Sequence, residues 1–158
     1  MTRRTVLQLA GASALAAQSK PVPSFAAGGG RIKQSVSRWC YSKYSLDDLC
    51  KESVRIGLKG VDLIDSEDWP TVQKHGLTPS MTPGGGTIPV GFNRQENHDA
   101  LIKELQENIT KAAAANVPNV ITFSGNRRGL SDSEGIENCI IGLNRIKKFA
   151  EEKGVTVC

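Results

Sequence analysis

From Arg31 onward, short apolar or β-branched runs alternate with longer segments whose apolar side chains recur every three or four residues. That is the pattern of alternating strands and helices. Residues 31–39 (RIKQSVSRW) alternate and predict a first strand that ends around Arg38, Trp39 and Cys40. Ser45 and Asp48 stand at capping-box spacing and open a helix with Leu46, Leu49, Cys50 and Val54 on one face. Residues 59–65 (KGVDLID) predict a second strand, and a short helix through Val72 stops at Gly76. Residues 77–83 (LTPSMTP) predict a third strand despite Pro79 inside it, followed by a long loop at 84–93 (GGGTIPVGFN).

The longest expected helix runs over residues 98–116, with Leu101, Leu105, Ile109 and Ala112 on one stripe, and residues 117–125 (VPNVITFSG) give a fourth strand. A further helix has a Ser131/Glu134 capping box, an apolar face of Ile136, Cys139, Ile140, Leu143, Ile146 and Phe149, and a stop at Gly154. Residues 155–158 (VTVC) begin a fifth strand. Five strands separated by four helices require right-handed parallel crossovers, so the class is α/β: an open doubly wound sheet or part of a (β/α)8 barrel. An ending on an apolar strand leaves its edge unpaired, which predicts a chain that stops within strand five of a barrel. A whole barrel takes about 250 residues, and this sequence has 158. Residues 31–158 are therefore expected to form a partial TIM barrel.

The first 26 residues follow a different rule. A basic pair, Arg3 and Arg4, precedes an uncharged apolar run over residues 6–17 and then small residues, the outline of a signal peptide. The run is shorter than the roughly 20 residues a membrane span needs, so no stable membrane insertion is expected once the signal is removed. The order T-R-R-x-V-L resembles a twin-arginine export signal, with Val6 in the usual place of Phe. The expectation is a periplasmic protein with a leader at 1–26 and a linker at 27–30.

Composition narrows the partners. The net charge of +4 comes largely from Arg3, Arg4 and Lys20; beyond them 17 basic residues face 16 acidic ones. A nearly neutral body with interspersed charges offers no footprint for a phosphate polymer, so nucleic acid is not an expected partner. With 39% hydrophobic residues the chain is apolar enough to fold. Four cysteines without a C-x-x-C pair predict isolated, mostly buried thiols.

Reactive groups of parallel α/β folds gather at the carboxyl ends of strands. Those ends hold Trp39, Asp62 and Asp65, Met81 and Thr82, and the FSGNRRG turn with Ser124, Asn126 and Arg127. If Val61 and Leu63 face the helices, Asp62 faces the barrel interior near its mouth, where a carboxylate is either used by a site or paired structurally. Asp65 suits a helix cap. The turn after strand four offers a glycine, two arginines and a helix amino end to an anion, or is a solvated turn with surface arginines. Residues 83–86 (PGGG) read as a mobile lid rather than a phosphate cradle. His75 and His98 sit at helix ends as capping or surface residues, and no His/Asp/Glu cluster has metal-ligand spacing.

The order of segments SLDDLCKESVRIGLKGVDLID, VQKHGLT, NVITFSGNRRG and GLNRIKKFAEEKGVTVC resembles the hydroxypyruvate isomerase branch of the xylose isomerase-like TIM barrels, the sugar phosphate isomerase/epimerase superfamily. The resemblance covers residues 31–158, and its most useful passages are G-x-K-G-V-D at 57–62 and A-x-x-x-G-V at 150–155. It implies an aldose-ketose isomerisation of hydroxypyruvate or a related small sugar or hydroxy acid. It also implies a divalent metal (Mg, Mn or Zn) held by carboxylates of strands five to eight, none of which can be matched to a position here. Trp39, Asp62, Ser124, Asn126 and Arg127 are the substrate-side positions it leaves; it implies no catalytic residue within this chain, and the whole protein could be a homo-oligomer. The competing reading is a small exported flavodoxin-like module that binds an anionic ligand without catalysis.

Overall fold

A computed structural model describes residues 32–158; the leader and linker expected at 1–30 lie outside the described residues. Five strands, β1 (Ser35–Ser37), β2 (Gly60–Asp62), β3 (Thr78–Gly85), β4 (Asn119–Thr122) and β5 (Thr156–Val157), form one sheet in the order β1-β2-β3-β4-β5. Every neighbouring pair is parallel. Four helices alternate with them: α1 (Leu46–Arg55), α2 (Trp69–Lys74), α3 (His98–Ala114) and α4 (Asp132–Lys153).

The strand order decides between the two architectures. Doubly wound sheets reverse direction at a switch point, as in the flavodoxin-like order 2-1-3-4-5. Here the strands follow one another without reversal. With right-handed crossovers that order puts every helix on the same face, which is how a barrel wall is built. The fold is a five-strand arc of a (β/α)8 barrel.

Side-chain alternation then divides the sheet into two surfaces. Val61 and Val120 are fully buried, and Val36 and Val157 pack against the same cluster. Leu49 of α1, Val72 of α2, Leu105 and Ile109 of α3 and Ile146 of α4 complete that core. The alternate positions, Ser35, Ser37, Asp62 and Asn119, therefore line the opposite, inner face.

The helix ends follow their local chemistry. The Ser45 Oγ accepts from the Asp48 N–H at 3.1 Å, and the Ser131 Oγ from the Glu134 N–H at 3.3 Å, each satisfying an otherwise unpaired first-turn donor. Gly154 ends α4 in the left-handed conformation, at φ +66°. No described helix is long and apolar enough to cross a membrane.

Several expectations are corrected. The first strand covers only Ser35–Ser37, because residues Arg38–Tyr41 turn into a 3-10 helix tied by the Arg38 guanidinium to the carbonyls of Tyr41 and Tyr44. Pro83, Gly84 and Gly85 belong to β3 rather than to a lid; lacking side chains, the two glycines let Leu101 and Leu105 of α3 lie against the strand backbone. In α1 the position facing the core is Ser53, while Val54 is exposed.

The face of α4 is also turned. Of the expected face Ile146 is buried and Cys139 and Phe149 pack against the core, but Ile136, Ile140 and Leu143 are exposed while Asn138, Gly142 and Ala150 are buried. The rotation has a polar and a steric cause. The Asn138 Nδ2 donates to the Asn93 carbonyl at 2.9 Å, and Gly142 lies so close to Phe92 and the His98 ring that a Cβ there would come within 2.4 Å of Phe92. Hydrophobic periodicity alone does not carry this information. Two of the four thiols, Cys40 and Cys158, are exposed, so the cysteines are not mostly buried.

Candidate functional site

Trp39, Asp62, Ser124, Asn126 and Arg127 all stand at or just beyond the carboxyl ends of parallel strands, along one edge of the sheet. The structure divides them into two places. Asp62 belongs to the inner face at β2, while Ser124, Asn126 and Arg127 form the turn that follows β4. Trp39 sits in the 3-10 turn after β1 with 71% of its surface exposed.

The inner face over the first three strands is made of small polar side chains. Ser37 and Asp62 are register partners, and Asp62 pairs with Met81 across an irregularity that brings Ser80 beside Gly60. The Ser35 Oγ donates to the Asp62 Oδ2 at 3.1 Å. The Asn119 Nδ2 donates to the Ser80 carbonyl at 2.7 Å. Among the described residues the Ser37 Oγ, the Asp62 Oδ1 and the Ser80 Oγ are shielded from solvent and have no hydrogen-bond partner. Buried polar groups are ordinarily paired, so three unpaired oxygens on adjacent strands mark this row as unfinished in its polar accounting. The interior of a barrel is usually filled by bulky branched side chains; here the row carries serine, glycine and aspartate instead.

Leu63 does not continue the strand toward the helix layer as expected. It takes φ +55°, which ends β2 at Asp62 and leaves the carboxylate at the strand's tip. Asp65 precedes a short 3-10 turn and makes no side-chain cap bond.

The turn after β4 is built as a rigid clasp. Residues 91–93 run alongside the end of β4, with the Phe92 N–H donating to the Phe123 carbonyl at 3.0 Å and the Asn93 N–H to the Ser124 carbonyl at 2.8 Å. The Asn93 Nδ2 donates to the Asn126 carbonyl at 2.9 Å. Of its two arginines, Arg127 meets Asp132 at 2.5 Å, and the backbone carbonyls of Arg127 and Arg128 accept from Arg94. Ser124 and Arg127 line a groove of about 400 Å³ whose other wall is apolar, formed by Ile136, Cys139, Ile140 and Leu143 of α4.

The histidines play different parts. His75 caps the end of α2, with its Nε2 2.7 Å from the Asp47 Oδ1. Lys51, and then His75, hold the Asp47 carboxyl down at about 2, an exposed charge knot on the outer face. His98 is neither a cap nor a surface residue: it is buried, with its Nε2 2.9 Å from the Phe92 carbonyl, and it supports the clasp from behind. No group of three or more His, Cys, Asp or Glu converges among the described residues. They do not fit the divalent metal that the resemblance implies, and no catalytic step is assigned to one.

Sequence reasoning missed Ser35, Ser37 and Ser80. The alternation in S-V-S was a signal for the first two, since Ser35 and Ser37 flank the core residue Val36. Ser80 reaches the row only through the irregular pairing of β3, which leaves no trace in the pattern.

The strand order and the helices on one face define the architecture: a segment of a β/α barrel. The solved structures that share the fold agree. They include a mannonate dehydratase from Streptococcus suis serotype 2, with a TM-score of 0.59 and 18% identity over 82% of this chain and 53% of that one. A sugar phosphate isomerase/epimerase from Parabacteroides distasonis gives a TM-score of 0.63 at 12% identity over 79% of this chain and 49% of that one. A D-psicose 3-epimerase solved in the presence of D-fructose gives 0.61 at 9% identity over 80% and 51%. The same fold is shared with an AP endonuclease, family 2, from Brucella melitensis, at a TM-score of 0.60 and 15% identity, so the likeness carries the architecture and not the chemistry. This chain spans about half the length of these structures. No protein-family model and no curated protein matches the sequence.

Proposed function

We propose that this chain supplies the substrate-holding part of an exported sugar isomerase or epimerase, acting on a small sugar or on hydroxypyruvate or a related hydroxy acid. The observation that carries the proposal is the row of unpaired oxygens at Ser37, Asp62 and Ser80 on the inner face, at the edge where barrels of this kind bind ligands. Several of the structures that share the fold are named as sugar isomerases or epimerases, one solved with D-fructose and another with D-allulose. The reaction is a proton transfer between adjacent carbons through an enediol, which needs an acid/base pair and a polarised carbonyl. The described residues offer Asp62 as a lone carboxylate at the row, so their part is to hold and orient the substrate, with Trp39 beside the mouth.

Equilibrium dialysis of the chain against D-fructose, D-allulose, hydroxypyruvate and inorganic phosphate tests this. Retention of a sugar or of hydroxypyruvate is expected, with competition among the retained ligands and no product formed. Phosphate retained in place of all three organic ligands contradicts the proposal and supports a non-catalytic anion-binding module.

A further inference from the structure

Resting on that reading, we infer that Ser37, Asp62 and Ser80 form a charge selector that admits a neutral polyhydroxylated sugar and rejects its anionic counterparts. A carboxylate accepts hydrogen bonds and cannot donate. The Asp62 Oδ2 is satisfied by the Ser35 hydroxyl, whereas its Oδ1 has no donor and Asp62 has no ion-pair partner among the described residues. Whatever completes this oxygen must therefore bring an O–H or N–H. A sugar hydroxyl does so and can accept in return from the hydroxyl of Ser37 or Ser80, each of which rotates about a single torsion to face the ligand.

An α-keto acid, a hydroxy acid or a sugar phosphate would place a second negative charge against the Asp62 carboxylate in a half-buried setting, where repulsion is weakly screened. No ion pair to a Lys, Arg or His holds Asp62 among the described residues, so its charge is not offset within hydrogen-bonding reach. Gly60 lets the β2 backbone lie close against β3, since a Cβ there would come within 2.7 Å of the Thr78 carbonyl oxygen and 3.2 Å of the Ser80 hydroxyl. The row thus combines an unpaired acceptor with two adaptable hydroxyls. That set selects hydroxyl donors over carboxylates.

Isothermal titration of the intact chain with D-fructose and with sodium hydroxypyruvate tests the selector. The wild-type chain is expected to bind D-fructose at least roughly tenfold more tightly than hydroxypyruvate. Asp62→Asn is expected to weaken D-fructose by roughly ten- to hundredfold, the cost of losing a charged acceptor, and to reduce or reverse the preference. Ser37→Ala removes a neutral partner and is expected to weaken D-fructose by about fivefold without improving hydroxypyruvate. Equal wild-type affinities, or an Asp62→Asn variant that melts like the parent and keeps both affinities within about twofold, overturn the selector while leaving a sugar site in place. Binding of neither ligand by the folded wild-type chain overturns the proposed function as well.

Discussion

Gly91→Ala is expected to lower stability by about 3 kcal/mol or more, lowering the melting temperature by about 10 °C. A Cβ at Gly91 would stand 2.1 Å from the Phe123 carbonyl oxygen and 2.4 Å from both the Gly125 nitrogen and the Ser124 carbonyl carbon. All three are backbone atoms, so no rotamer change relieves the contact. The loop must instead lift off the end of β4. That breaks the Phe92 and Asn93 amide bonds to Phe123 and Ser124 and pulls at the Asn93 contacts with Asn126 and Asn138. Each lost hydrogen bond costs about 1 kcal/mol. Denaturant unfolding gives the stability, and faster hydrogen exchange at the Phe92 and Asn93 amides would localise the damage. A change below about 0.5 kcal/mol would show that the clasp is not formed in solution.

Leu105→Ala is expected to cost about 3 kcal/mol, within the range for a large core side chain that leaves a cavity. Leu105 is fully buried where α3 crosses β3, its side chain packed against the backbone of Gly84 and Gly85. Glycines have no side chain with which to refill the space, so little relaxation is available. Ile136→Ser is the matched comparison. Ile136 lies on α4 with 61% of its surface exposed, and the change is expected to stay within about 0.5 kcal/mol. If Ile136→Ser also costs about 3 kcal/mol, Ile136 faces the core and the side of α4 carrying it has been assigned wrongly.

That comparison bears on what was legible in the sequence. Element type and order came through because the strand and helix periods differ and because Ser45, Ser131 and Gly154 mark helix ends by local chemistry. What failed depended on tertiary detail. The apolar stripe of α4 predicted one buried face, but Asn138 has a specific carbonyl partner and Gly142 permits a close approach, and together they turn the helix. His98 looked like a helix-start residue and is buried because Phe92, six residues earlier, folds back over it. For the site, Asp62 was readable as an inward carboxylate from the apolar residue before it. The serines around it were not, since their significance comes from register between strands and from the irregular pairing at Ser80.

The arginines illustrate the reverse case. In the sequence, FSGNRRG is the most attractive anion site; in the fold, Arg127 shares its charge with Asp132 at the start of α4, and Arg94 ties down the turn's carbonyls. Charge counting along a chain cannot show which charges are already paired.

The central claim is that the inner face at β1, β2 and β3, and not the apolar groove along α4, receives a sugar. Titrating D-fructose into the isotopically labelled chain and following its backbone amide resonances tests that most directly. The account predicts saturable shifts centred on Ser37, Asp62 and Ser80, with the amides of Ile136, Ile140 and Leu143 unmoved. Shifts confined to α4 and the turn after β4, or a spectrum that does not respond, would contradict it.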